Sequence, residues 1–112
     1  MTTFTAQDNA RLKPALVDGA AGYFEREIAW EPAGPKDQIV FKSNPDLANM
    51  GDNMCAIAHT DAGTCWVLQN TWHGFPDPPE FLFVAFRGQG EVSALKYFDD
   101  WPANWTKPET VH

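Results

Sequence analysis

The segment Phe81–Phe98 constrains the fold of this chain more than any other. Two runs rich in apolar and β-branched residues, Phe81–Arg87 and Glu91–Phe98, are separated by the short Gly-Gln-Gly sequence at 88–90. Such a three-residue loop, with glycine at its last position, is typical of an antiparallel hairpin, because glycine adopts the left-handed conformation without a Cβ penalty. The pattern therefore predicts a β-hairpin here.

Both faces of this predicted hairpin are apolar. In its register Arg87 faces Glu91 and Phe86 faces Val92, and both pairings are favourable. One face is expected to carry Phe81, Phe83, Leu95 and Tyr97, and the other Leu82, Val84, Phe86 and Val92. One helix cannot cover both faces of such a sheet. Either the sheet curls around the helix, or aromatic loops or a second copy of the chain, forming a homodimer, cover the outer face.

A second hairpin is predicted upstream. Met54–Thr60 and Thr64–Trp72 flank Asp-Ala-Gly at 61–63, which again fits a three-residue loop ending in glycine. The β-rich, alternating segment Gln38–Ser43 predicts a further strand. We therefore expect a meander of about five antiparallel strands over residues 38–98.

The N-terminal third predicts a helix. Apolar residues recur at i+4 spacing along it: Leu12, Leu16, Ala20, Phe24 and Ile28. This stripe indicates a helix over 6–29, and Pro14 inside it predicts a kink or break. The expected fold class is α+β, with an N-terminal kinked helix packed on a curved antiparallel meander. The 112 residues fit a single domain that ends in an aromatic cap at 99–105 and a polar tail at 106–112.

The charge of the chain limits its partners. Fifteen acidic and eight basic residues give a net charge of −7, and no Lys or Arg lies between Lys42 and Arg87. Direct nucleic-acid binding and anionic membrane surfaces are therefore disfavoured, because both need clustered cations. A partner protein with a basic surface suits this charge better. The N-terminus lacks the apolar region of a signal peptide, so we expect a soluble, cytoplasmic chain with reduced thiols.

A cysteine and a histidine are the first candidates for chemistry. If the 61–63 loop has three residues, Thr60 pairs with Thr64, and His59 faces Cys65 at a cross-strand Cβ separation of about 4.5–5.5 Å. Cys–His is the minimum arrangement for an activated thiolate, so His59 and Cys65 are the candidate catalytic pair. The favoured interpretation is a packed, poorly reactive Cys65, because cysteine is usually buried.

A metal site is not expected. Cys55, His59, Cys65 and His73 have the composition of a zinc site, but their spacing departs from the close Cys–Cys and His–His pairs of such sites. No other pattern indicates a cofactor.

Aromatic residues form the second group of candidates. We expect antiparallel neighbours to gather several of them at one end of the sheet. The candidate binding residues are Trp72, His73, Phe75, Asp77, Tyr97, Trp101 and Trp105. They form either an aromatic plug that closes the core or an exposed platform for a ligand.

Three functions follow, and the sequence does not decide whether the chain is an enzyme. The favoured one is a small acidic interaction protein: an inhibitor, an immunity protein or a regulatory partner. The alternative is a small enzyme or ligand-binding domain with a pocket between helix and sheet, using His59 with Cys65 or His73 with Asp77. The third is an aromatic platform that binds a carbohydrate or an apolar ligand.

Overall fold

The structure is a computed structural model that describes residues 14–45, 47–48, 50–70, 80–88 and 91–109. Within these residues the chain forms two helices and five strands. In order they are α1 (Pro14–Phe24), β1 (Glu31–Pro32), α2 (Pro35–Lys42), β2 (Asn53–Thr60), β3 (Gly63–Gln69), β4 (Phe81–Arg87) and β5 (Glu91–Phe98). The strands form one antiparallel sheet in the order β1-β2-β3-β4-β5. The predicted α+β class, an N-terminal helix on a five-stranded antiparallel sheet, is confirmed.

The β4–β5 hairpin has its predicted bounds and its predicted closing pairs. Arg87 pairs with Glu91 and Phe86 with Val92. The Arg87 guanidinium also lies 3.1 Å from the Glu91 carboxylate. This ion pair is exposed, so it contributes little to stability.

A β-bulge at Ser93 changes which face each later residue of β5 occupies. Phe86 pairs with Val92 but Ala85 pairs with Ala94, so Ser93 is the extra residue, and its hydroxyl donates to the Ala85 carbonyl at 3.3 Å. The extra residue reverses the alternation that follows. The prediction that Leu95 and Tyr97 share a face with Phe81 and Phe83 is therefore wrong. They share the face of Leu82, Val84 and Phe86.

Helix α1 ends at Phe24, five residues before its predicted end. Ile28 has left the helix and forms a parallel bridge with Trp105, and the Thr106 N–H donates to the Ile28 carbonyl at 3.0 Å. This long-range pairing uses backbone groups that a longer helix would have used itself. Residues 6–13 of the predicted helix lie outside the described residues. The kink near Pro14 and the curvature of the sheet stay predictions.

The predicted strand Gln38–Ser43 is wrong, because these residues lie in and just after α2. Pro35 occupies the first turn, and the Asp37 carboxylate accepts the Gly34 N–H at 2.8 Å. Proline at a helix start and a carboxylate near the N-terminal N–H groups both stabilise a helix. This capping outweighs the β propensity of the apolar residues at 39–41, and β1 is instead the first strand of the sheet.

The two faces of the sheet have different covers. The α1 face is covered by α1 and by tryptophans: its buried members include Ala20, Trp30, Cys55, Cys65, Phe83, Phe98 and Trp105. The α2 face is covered by α2 and the segment after it: its buried members include Phe41, Leu47, Met54, Trp66, Leu68, Leu82, Val84 and Phe86. Helix α2 and the segment after it thus cover the second face of the sheet, for which the sequence had left the cover undecided. No helix in the described part of the chain is long and apolar enough to cross a membrane.

Candidate functional site

The β2–β3 turn sets the positions of the candidate catalytic residues. Thr60 pairs with Gly63, so the loop has two residues rather than the three we expected. The Thr60 hydroxyl accepts the Ala62 N–H at 3.2 Å and donates to the Gly63 carbonyl at 2.9 Å. Gly63 has φ +130°, and a Cβ there would collide with the carbonyl oxygen of Phe86. A glycine is therefore required at this position, but as the first residue of β3 rather than as the last residue of a loop.

The shorter loop moves the register by one residue. His59 pairs with Thr64, and Cys65 pairs with Ala58. The predicted opposition of His59 and Cys65 is wrong, and the two side chains lie on opposite faces of the sheet, since neighbouring strand positions alternate. His59 is exposed, with Nδ1 3.4 Å from the Thr64 hydroxyl, whereas Cys65 is buried on the α1 face. The structure does not bring the candidate dyad together.

Both cysteines are buried, and neither forms a disulfide. Burial raises the pKa of Cys65 to about 11, against smaller lowering effects of the Thr60 hydroxyl and the Arg26 charge. Burial also raises the pKa of Cys55 to about 12. Because the thiolate is the reactive form, both groups are expected to be poor nucleophiles and poor metal ligands near neutral pH. In the part of the chain that the structure describes, no three His, Cys, Asp or Glu side chains are grouped so as to hold a metal ion.

The α2 face carries a half-open cleft beside α2, with a volume of about 410 Å³. Its floor is formed by neighbouring strands at the turn end of the sheet, and its wall by α2 and the residues after it. The floor residues are Ile57, Thr64, Trp66, Phe86 and Gly88, and the wall residues are Asp37, Val40 and Asn44. The floor is apolar at its centre, where the Trp66 and Phe86 rings meet edge to face with centroids 4.5 Å apart.

Helix periodicity explains which residues of α2 and its C-terminal turn line the cleft. Asp37, Val40 and Asn44 are spaced i, i+3 and i+7, which places them on one side of α2 and its C-terminal turn. Phe41 is fully buried and anchors the helix to the sheet, whereas Val40 remains 55% exposed and Ile39 67% exposed. The cleft therefore continues onto an exposed apolar surface of α2.

The polar groups of the cleft are already engaged within the chain. The Asp37 carboxylate accepts the Gly34 N–H, the Thr64 hydroxyl lies near His59, and the Asn44 side-chain oxygen accepts the Leu47 N–H at 3.1 Å. They form part of the scaffold, and Asp37 adds a negative charge to an otherwise apolar lining. This arrangement suits binding of an apolar group next to a cation.

The predicted aromatic platform is not assembled among the described residues. Trp101 and Trp105 meet edge to face, at an interplanar angle of 81° and a centroid separation of 5.5 Å, and Trp105 is only 4% exposed. Tyr97 lies on the other face of the sheet. Within the described part of the candidate set, the tryptophans thus pack as a plug against Phe83 and Phe98. Trp72, His73, Phe75 and Asp77 lie outside the described residues.

The cleft could not be predicted from the sequence because the residues of α2 were predicted to form a strand. With 38–43 as a strand, Asp37, Val40 and Asn44 share no surface. The missed signal was Gly34-Pro35 followed by Asp37, since proline in the first turn and an acidic residue at the third helical position mark a helix start.

Comparison with known proteins adds no relative: no protein-family model matches the chain, and neither the curated proteins nor the solved structures contain a significant match. Function therefore has to be inferred from this chain's own cleft and charges.

Proposed function

We propose that this chain is a small acidic interaction protein that binds a basic partner protein through the cleft beside α2. The observation that carries the proposal is the half-open apolar cleft of about 410 Å³ that continues onto exposed Val40 and Ile39. Exposed apolar patches rimmed by polar residues are characteristic of protein-interaction sites. The partner would insert an apolar side chain between Val40 and Trp66.

Charge supports a basic partner. The chain carries a net charge of −7, and Asp37 contributes a carboxylate to the cleft lining. Arg87, at the same end of the sheet, is paired with Glu91, which offsets its repulsion of a cationic partner. Opposite charges speed the encounter of two proteins and fix their orientation. In this proposal the protein acts in the cytoplasm, where the thiols of Cys55 and Cys65 would stay reduced.

The lining favours binding over catalysis. Among the residues that line the cleft, Asp37 is ionisable, and its carboxylate already accepts the Gly34 N–H. No second ionisable side chain among the lining residues could act with this carboxylate as an acid–base pair. The floor offers Trp66, Phe86 and Ile57, which can exclude water and bury an apolar anchor.

A peptide selection with matched variants tests the proposal. Random dodecapeptides displayed on phage are selected against the folded protein, and the Kd values of the enriched peptides are measured by calorimetry. We expect basic peptides with an apolar residue, weakened at least roughly tenfold by Val40→Asp. Asp37→Asn retains an acceptor for the Gly34 N–H but loses the charge, so it should weaken binding severalfold and reduce the salt dependence of the association rate.

Asp18→Asn is the matched charge control, because Asp18 is exposed on α1, which covers the opposite face of the sheet. It should leave the affinity nearly unchanged. Enriched peptides that are acidic, or whose Kd is unchanged by Val40→Asp, would contradict the proposal.

A small apolar ligand is the second candidate, favoured by the volume of the cleft, which lies in the range of small-molecule pockets. Fragment screening by NMR separates the two functions. Fragments that shift the Trp66 indole resonance with micromolar Kd, together with failure of the peptide selection, would favour a small-molecule site.

A further inference from the structure

The edge of β2 is open next to the cleft. Strand β1 covers β2 only at Ala56 and Ile57, which pair with Pro32 and Glu31. The pairing ends at Glu31: among the described residues no backbone hydrogen bond joins Ala29 or Trp30 to β2, and the Trp30 N–H donates to the Thr106 hydroxyl at 2.7 Å. Within the described residues, no backbone group pairs with this edge of β2 beyond Ile57.

His59 presents the unpaired backbone groups of this edge. Because the β2–β3 pairs alternate, Thr60 and Ala58 direct their N–H and C=O groups towards β3. Ile57 directs its groups towards Glu31 of β1, and His59, two residues further on, directs its own to the same edge. His59 is exposed, and among the described residues none pairs with its backbone.

The rest of this edge is closed by the chain itself. The Gln38 side-chain amide donates to the Met54 carbonyl at 2.5 Å and accepts the Met54 N–H at 3.0 Å, which reproduces the bonds of a neighbouring strand. The Ala33 N–H donates to the Cys55 carbonyl at 3.5 Å. Native sheets usually protect their edges against strand pairing. Here protection extends from Met54 to Ile57 and stops at His59, next to the apolar cleft.

The open edge and the cleft belong to one surface. The side chains of Ile57 and His59 lie on the α2 face, and Thr64, which lines the cleft, is the cross-strand partner of His59. A strand added beside β2 would direct alternate side chains over this face. The side chain opposite His59 would lie on this face, at the margin of the cleft that Thr64 lines.

Charge indicates the chemistry of the added strand. Glu31 and Asp61 are exposed at the two ends of the open segment, and Asp37 lines the cleft beside it. This inference rests on the proposed function. We infer that the partner segment binds in extended conformation, by β-strand addition at His59. It places one apolar side chain in the cleft, and its Lys or Arg side chains face Glu31 and Asp61.

The experiment uses the basic peptides selected from the phage library on the full chain. Each peptide amide is methylated in turn. We expect loss of affinity, roughly tenfold, at one methylation near the apolar anchor and little loss at the neighbouring amides, because His59 offers a single edge carbonyl to a peptide N–H. In amide hydrogen exchange measured by NMR, the His59 amide should exchange rapidly in the free protein and more slowly in the complex.

A pair of variants isolates the backbone contribution. His59→Pro removes the edge N–H, and His59→Ala keeps it, while both remove the imidazole. Proline is tolerated on edge strands, so the Pro variant should fold and bind roughly tenfold more weakly than the Ala variant. If circular dichroism shows that it does not fold, the methylation series decides.

The outcomes separate this inference from the proposed function. Peptides that depend on Val40 but tolerate methylation at every amide would overturn strand addition and leave the cleft as a binding site. A His59 amide that is already protected in the free protein would also overturn it, since the edge would then be occupied by the chain itself. A selection that yields no Val40-dependent peptide overturns both.

Discussion

Cys55 and Cys65 both lie on the α1 face, where burial raises the pKa of each thiol well above its ordinary value. A one-residue difference in the turn decides this environment for Cys65. With a three-residue loop Cys65 would share a face with His59, whereas the observed pairing of Thr60 with Gly63 places the two on opposite faces. The length of the β2–β3 loop thus decides whether Cys65 faces His59 as a candidate nucleophile or packs on the opposite face.

We expect slow thiol labelling that is independent of His59. With a disulfide reagent at about pH 8, Cys55 and Cys65 should react at least about a hundredfold more slowly in the native protein than in urea, because their thiolates are scarce and buried. His59→Ala should leave the rate unchanged, because His59 lies on the other face. Rapid native labelling of Cys65 that is lost in His59→Ala would contradict the observed register.

The raised thiol pKa values also predict lower stability in alkali. The folded-state pKa values, about 11 for Cys65 and about 12 for Cys55, exceed the ordinary value of 9.0, so the unfolded state loses its thiol protons first. The free energy of unfolding should therefore fall as pH rises above about 9, by up to about 1.4 kcal/mol per pH unit for each thiol. Urea denaturation of the wild type and of a Cys55→Ala/Cys65→Ala variant measures this contribution. Equal pH slopes in the two proteins would rule it out.

Among the elements, α1 contains two glycines, and Gly19 has a packing role that Gly22 lacks. Both glycines of α1 lower its intrinsic helix stability, but their surroundings differ. A Cβ on Gly19 would lie 3.1 Å from the Ser93 carbonyl oxygen, whereas a Cβ on Gly22 would have no neighbour within 4 Å. Gly19 therefore permits the close approach of α1 to β5, and Gly22 serves no visible packing role.

Alanine at the two glycines should have different effects. Gly22→Ala should raise the free energy of unfolding by about 0.5–1 kcal/mol, because it gains helix propensity without a clash. Gly19→Ala gains the same propensity but pushes α1 away from Ser93, so it should be neutral or destabilising. Thermal and urea unfolding of both variants provide the comparison. Equal stabilisation by the two substitutions would show that α1 does not pack closely on β5.

Element prediction succeeded where the local signal was strong. Phe81–Arg87 and Glu91–Phe98 have the bounds we predicted, because the loop between them and the apolar runs agree. It failed for α2, whose apolar residues have β propensity while its start carries helix-capping signals. A helix of eight residues is too short to be stable from its sequence alone. The burial of Phe41 and the bond between Gln38 and Met54 hold it in place.

At the scale of the whole molecule, one sheet separates two apolar clusters that need separate covers. On the α1 face Phe83 is fully buried and packs against Phe24 and Trp105, with centroid distances of 5.5 and 5.7 Å. On the α2 face Phe41 supplies the corresponding cover. Because β4 contributes buried side chains to both clusters, loss of either cover should weaken the entire domain.

Phe41→Ala should therefore lower the global free energy of unfolding by about 3–5 kcal/mol, as expected for a large aromatic side chain removed from a core. Ile39→Ala, on the same helix but 67% exposed, is the matched control and should change it by less than about 0.5 kcal/mol. Urea denaturation followed by tryptophan fluorescence and by circular dichroism should give coincident single transitions. A loss below about 1 kcal/mol for Phe41→Ala would mean that α2 does not stabilise the sheet.

The sequence alone determined the α+β class, the β4–β5 hairpin with its closing pairs, and the need for cover on both faces of the sheet. These follow from local turn chemistry and from apolar patterning, which neighbouring residues encode. Tertiary structure decided the β2–β3 register, the bulge at Ser93, the helix at 35–42 and hence the cleft. The physical reason is that a shift of one residue costs little locally but reverses every side chain beyond it. Contacts between residues that are distant in sequence select among the alternatives. Examples are the burial of Phe41, the hydrogen bond between Gln38 and Met54, and the bridge between Ile28 and Trp105.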